Sequence, residues 1–336
     1  MIKKITLLLI SLLSVAGALA QDIHFTQFNV NPMLLNPALV GFFNCDYRLT
    51  AQYRNQWGAI TVPYRTFAGS AEMRFMKGRE HHDMLGFGLL ANNDLSGDSK
   101  LSQTQLGLDV AYSKSLDRFS TQYFSFGAQV NYNALSLDRS GVYFDDQFNM
   151  STGNLSGSSA EQFAASTHFT DVSAGLQYSY TPDLNHNFSA GLALFHINQP
   201  YRTFRGDYAS LLKRKTVFNL SGQARLSEKT ELFPKIQISM QDPHREVVIG
   251  SFLRMDLDKK IKSRYGIYYG AWYRVGDMLS PVVRVDLENL SLGFSYDFNL
   301  SSLTSLSFAR GGPELSLIYV GCIPSFRKVK TYCPRF

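Results

Sequence analysis

LSLGFSYDFN, Leu290–Asn299, alternates without a break. Extended, it puts Leu290, Leu292, Phe294, Tyr296 and Phe298 on one face and Ser291, Gly293, Ser295, Asp297 and Asn299 on the other. Period two marks a strand. The polar face holds small residues, which suits an interior that meets water or a plug, and the apolar face suits lipid. QLGLDVAYS (Gln105–Ser113) repeats the arrangement, with Leu106, Leu108, Val110 and Tyr112 on one side. FNLSGQARL (Phe218–Leu226) sets Asn219, Ser221, Gln223 and Arg225 on its polar side.

Composition agrees with this reading. Charged residues make up 18% of the chain and aromatics 13%, with 25 Phe and 18 Tyr, whereas a soluble domain carries about 25% charge. After the first twenty residues there is no apolar run of the roughly 18 residues a transmembrane helix needs. The expectation is an all-β chain, a transmembrane antiparallel β-barrel of about fourteen strands. A secreted β-sandwich is the plainer alternative. The strands are expected at 47–53, 67–75, 84–92, 103–113, 122–134, 172–180, 188–197, 215–226, 232–241, 246–256, 263–274, 281–287, 290–299 and 313–321.

The connections test this independently. In such a barrel the odd connections face outside and are long, and the even ones are short turns. Arg54–Thr66, Leu135–Asp171, Asn198–Arg214 and Leu300–Gly312 are long and odd. TPDLNHN, SEKTE and EN are short and even; the ninth, around DPHR, is short where the rule prefers long.

The chain begins MIKKITLLLISLLSVAGALA. Lys3 and Lys4, the apolar Ile5 to Val15 and Ala18-Leu19-Ala20 form an export signal cleaved after Ala20. Residues 1–20 are thus read as signal, 21–46 as an N-terminal segment, 47–321 as barrel and 322–336 as a basic periplasmic tail. DIHFTQFNVNPMLLNPALVG, Asp22–Gly41, holds two Asn-Pro pairs, Asn31-Pro32 and Asn36-Pro37. The prolines remove two amide donors, which keeps the segment from adding as a strand. Its apolar residues, Phe25 and Phe28 among them, still need cover. The expectation is a partial plug beginning on the periplasmic side, against the inner wall or periplasmic mouth, with both chain termini periplasmic.

The net charge is +6, and Arg327, Lys328, Lys330 and Arg335 cluster near the end. Nucleic acid is not the expected partner of an exported chain; the cluster suits anionic lipid or an acidic protein face. Of Cys45, Cys322 and Cys333, one disulfide is expected in an oxidising compartment. Cys322 and Cys333 are the closest pair in sequence, but spacing leaves the pairing open, and one thiol remains over.

Chemistry is sparse. His81-His82 is the sole histidine pair, with no Cys or third His nearby to complete a metal site. There is no G-x-S-x-G, and Asp145-Asp146 sits in a Gly/Ser-rich stretch. No enzyme activity, metal or cofactor is expected. Two outer connections carry interface-type residues: Tyr143, Phe144 and Phe148 in the fifth; Tyr201, Arg202, Phe204, Arg205 and Tyr208 in the seventh. They are read either as a partner-binding surface or as loops packing on themselves over the mouth.

Three segments together resemble a known family. QDIHFTQFNVNPMLLNPALVG, then YRLTAQYRNQWGAI with Arg54-Asn55-Gln56-Trp57, and the close RGGPELSLIYV followed by CPRF look like the PorP/SprF family of type IX secretion outer-membrane proteins. The resemblance implies an outer-membrane barrel without enzymatic activity, working with type IX secretion and gliding components. It implies a secreted, adhesin-like client whose C-terminal domain it helps to cross or stay attached at the cell surface. A passive porin or small-molecule transporter is the alternative. The inward face, with its Gly, Ser, Asn and Gln and occasional Arg225, Arg254 and Arg274, is compatible with both.

Overall fold

The computed structural model describes residues 22–58, 62–77, 83–97, 100–138, 147–149, 154–155, 164–183, 185–204, 211–257, 265–301 and 304–323. The signal segment, His81-His82, Tyr143, Phe144, Asp145-Asp146, Arg205, Tyr208, Cys333 and the basic tail lie outside the described residues.

Alternating side chains fold into fourteen wall strands: β1 (Tyr47–Gln56), β2 (Tyr64–Lys77), β3 (Asp83–Ser96), β4 (Leu101–Ser115), β5 (Gln122–Ser136), β6 (Ser166–Tyr180), β7 (His186–Phe195), β8 (Lys215–Arg225), β9 (Thr230–Gln241), β10 (His244–Asp256), β11 (Tyr265–Arg274), β12 (Met278–Leu287), β13 (Leu290–Asn299) and β14 (Arg310–Gly321). Each pairs antiparallel with its neighbours. β1 meets β14 in register from Tyr47↔Gly321 to Arg54↔Glu314, so the sheet closes into a barrel. Outward positions such as Leu106, Leu108, Val110, Phe294 and Leu315 stay exposed, as a lipid-facing band must, while inward Asp109, Ser295 and Glu314 are buried.

Connections 137–165, 196–214 and 300–309 all leave one end, here the long-loop mouth. The ninth connection shares that end but is only Asp242–Pro243. The other end, the turn mouth, carries the even turns.

Residues 22–46 lie inside the wall. This short stretch bonds Glu314 of β14, Asp297 of β13, Arg54 of β1, Glu72 of β2 and Gln177 of β6, which only a segment in the lumen can do. Its path corrects the expectation drawn from sequence. Asp22 bonds His196 at the long-loop mouth, and Asp46 N–H donates to Gly321 O at the turn mouth, 3.0 Å away. The segment therefore begins at the far mouth and runs the whole lumen, and Asp22 and Ile323 stand at opposite ends of the barrel. The inner face offers polar partners at every level, so nothing confines the segment to one end.

Both Asn-Pro pairs are helix starts. Asn31 (φ −109, ψ 99) and Asn36 (φ −162, ψ 119) are extended, and each proline opens a single turn, Pro32–Leu35 and Pro37–Leu39. Proline is at ease there because the first helical N–H needs no partner. Asn36 Oδ1 accepts from Ala38 N at 3.0 Å, capping the second turn. The turns press so close to the wall that a Cβ at Gly127 would collide with the Pro37 carbonyl and Ala38 N, and one at Gly86 with Val40.

The disulfide also differs from the sequence-closest pair. Cys322 joins Cys45, with Cα atoms 4.6 Å apart, rather than Cys333. Barrel closure is the reason, since it sets the residues before β1 beside those after β14.

Candidate functional site

The lumen is the site to be understood, because the chain fills it itself. Near the long-loop mouth, Glu314 accepts from the Thr26 and Gln27 amides at 2.8 and 2.9 Å. Asp297 accepts from Thr26 Oγ1 at 2.8 Å and pairs with Arg54 at 2.8 Å, and Arg54 also donates to His24 O at 2.8 Å. Gln27 bonds Ser295 and Ser316, and Gln52 bonds Gln27 O. At mid-lumen Asn36 Nδ2 donates to Leu176 O at 2.9 Å and reaches Gln177 and Asn219. Near the turn mouth Glu72 takes a two-point ion pair from Arg48 (2.9 and 3.0 Å) and the Gly41 amide at 3.2 Å. There Arg48 lies 4.6 Å over the Phe43 ring. Burying these charges is tolerable because Arg54 pairs with Asp297 and Arg48 with Glu72, while Glu314 takes two backbone amides; removing one partner of such an ion pair costs about 3–5 kcal/mol.

Apolar contact fills what remains. Phe28, Leu35 and Leu39 join Trp272, Phe252 and Tyr268 in one cluster, with Phe28 and Trp272 ring centres 5.0 Å apart. Met33 and Val40 pack on Leu90 and Ala111. Towards the turn mouth, on β8 to β12, ion pairs take over. Arg225 meets Asp256 at 3.1 Å, Arg254 pairs with Asp256, and Arg284 stacks 3.8 Å over Tyr268. Arg225 and Arg254, read in the sequence as inward residues of an open or a plugged lumen, are here tied into this network.

The plug segments Phe25, Phe28, Asn31, Pro32, Asn36 and Pro37 are all buried in the lumen. The loop residues divide. Arg202 Nη2 reaches across to Gln103 Oε1 at 3.0 Å, and Phe204 packs on Leu135, Phe169 and Leu212. Arg202 and Phe204 of the seventh connection thus pack against the barrel mouth. Tyr201 and Phe148 are each 48% exposed. Among the described residues no cluster of metal-binding side chains occurs.

One group escaped the sequence reading. His196 (φ +57), just past β7, holds Asp22 through Nε2 at 2.7 Å and faces Asp171 through Nδ1 at 2.9 Å; Lys215 adds a contact to Asp22 at 3.6 Å. Burial alone would lower the His196 pKa, but Asp22 and Asp171 outweigh it and raise it to about 9. Burial would likewise raise the Asp22 carboxyl, yet His196 and Lys215 hold it below the usual carboxylate range. The charged pair fastens the start of the described segment at the mouth. No local sequence signal marks it, since its partners lie far apart in the chain. The inward glycines of β3, β5 and β6 were the nearest available clue.

No curated protein matches the chain. Among solved structures it is similar to the Pseudomonas putida toluene transporter TodX (10% identity, TM-score 0.49, 84% of this chain and 90% of that one). It is also similar to a Pseudomonas aeruginosa FadL homologue (8%, 0.48, 84% and 92%). A third is the translocator domain of the autotransporter NalP from Neisseria meningitidis (11%, 0.42, 82% and 89%). These likenesses carry no functional weight. The family model does: it describes type IX secretion system membrane proteins and matches residues 18–319, nearly the whole barrel and the plug within it, and so the chain belongs to the PorP/SprF family.

Proposed function

We propose that this outer-membrane barrel works closed, as a docking partner for a secreted client of the type IX pathway, with the long-loop mouth facing the cell exterior. The client, an adhesin-like surface protein, is held at that mouth by its C-terminal domain and so exported or kept attached. The observation that carries this reading is the lumen occupied from mouth to mouth by residues 22–46. A wall whose bore is filled by its own chain offers its outer surface, not a passage. Phe148 is exposed on that side, and aromatic residues supply much of the energy of protein interfaces.

The test has two arms. The barrel is purified from outer membranes and its bound exported protein identified; loss of the barrel should leave that protein inside the cell. In planar bilayers the wild type should be silent, while Gly127→Val, whose branched side chain collides with Pro37 and Ala38, should unseat the plug and open a steady conductance. A wild-type barrel that conducts, with its client displayed normally in its absence, supports a passive porin instead.

A further inference from the structure

β6 has two unequal neighbours. Towards β5 it is paired along its full length, from Gln122↔Tyr180 to Ser136↔Ser166. Towards β7 the register stops at Ala174↔Leu194. Beyond it the chain turns at His196, and Ile197 N–H donates to Val172 O at 2.9 Å. The Asn198 side chain then takes the next two places, accepting from Val172 N at 3.1 Å and donating to Thr170 O at 2.8 Å. The following contact on this side is Ala164 N to Phe204 O, 2.8 Å. Alternate residues of a strand turn both backbone groups to the same neighbour. The Thr170 amide, and both backbone groups of His168 and of Ser166, therefore face the β7 side, and among the described residues they have no partner.

Among the described residues nothing fills the place beside them, because the described part of the connection leaves the plane of the sheet. Arg202 and Phe204 turn inward, onto Gln103 and onto Leu135 and Phe169. The outward side chains at this level, Ser166, His168 and Thr170, are polar and exposed. On β4 and β5 the apolar band ends at Leu106, Val130 and Tyr132. This length of β6 accordingly stands above the lipid, in water. An open strand edge pairs with another extended backbone.

We infer that the edge Ser166–Thr170 is a strand-addition site for an extended segment of the secreted client, about five residues and 16 Å long. The inference rests on the client-docking reading above and names the contact. Five main-chain groups between the Asn198 and Phe204 contacts select for backbone, so the edge tolerates many client sequences, while the aromatic side chains of the loops do the selecting.

The experiment uses the full barrel and the exported protein found with it. Hydrogen exchange at the Ser166, His168 and Thr170 amides should be fast in the barrel alone and at least tenfold slower with that protein bound. His168→Pro removes a donor on the open side only, so the β5–β6 ladder stays and the barrel assembles, as read by heat-modifiable migration. It should cut capture at least tenfold, whereas His168→Ala, which keeps the backbone, should bind normally. Amides already protected in the free barrel mean that the chain covers its own edge, and overturn the proposal. So does unchanged exchange with the client bound, or equal capture by wild type and His168→Pro. A wild-type barrel that captures no exported protein removes the docking reading itself, and this inference with it.

Discussion

His196 lies between two carboxylates, Asp22 on the plug and Asp171 on the wall. Its pKa in place, about 9, stands above the ordinary 6.5. A group raised on folding adds stability that is complete below about 6.5 and is lost as pH climbs through about 9. The full contribution is on the order of 3 kcal/mol. Protection of the Thr26 and Gln27 amides, taken relative to their base-catalysed intrinsic exchange at each pH, should therefore fall between about pH 6.5 and 9 and level off above, and His196→Gln should abolish that dependence. A protection that stays constant with pH in the wild type would remove His196 as the fastening. In the sequence His196 is a histidine ending a strand, with nothing nearby to pair it. Glu314 and Asp297 are equally unmarked there. They look like ordinary inward polar positions, and only the folded chain shows that they hold Thr26 and Gln27.

At the scale of the elements, the strands were legible because two different surroundings write two different faces. Lipid demands Leu, Val and Phe on one side; a filled lumen demands small or paired polar groups on the other. Where one surrounding changes, the pattern fades. β6 is expected at 172–180 and begins at Ser166, because Thr170, His168 and Ser166 rise out of lipid and lose their apolar partners in the alternation. The same blurring shortens the expected β3, which runs on to Ser96 through Asn93. The disulfide was not legible by proximity, since closure and not sequence distance brings Cys45 to Cys322. At a sequence separation of 277, the bond constrains the unfolded chain strongly, by up to about 5 kcal/mol. Cys45→Ala and Cys322→Ala should each lower the temperature at which the barrel loses its compact migration, by a similar amount and without further loss in the double variant. Additive losses would mean that the two residues are not partners.

The molecule as a whole is a closed wall around its own leading segment, with its two described ends at opposite mouths. An epitope placed directly ahead of Asp22 should thus bind antibody on intact cells, while one behind Phe336 should require permeabilised cells. Antibody binding to both epitopes only after permeabilisation would return the start of the segment to the turn mouth. The family and the barrel could be read from the chain alone, from the period of Leu290–Asn299 and the two Asn-Pro pairs; the direction of the plug could not, because its partners sit up to 289 positions away. That separation imposes an order in time. Thr26 and Gln27 precede every strand, yet their holder, Glu314, belongs to the last. Gln52 of β1 reaches Gln27 early, but the other side chains that hold the two, Asp297, Ser295, Glu314 and Ser316, arrive only with the final hairpin, and once β1 and β14 have zipped, the bore admits nothing sideways. The sheet must curl about the segment while the seam is still parted, so a chain that stalls before its last strand leaves both the seam unzipped and the bore empty.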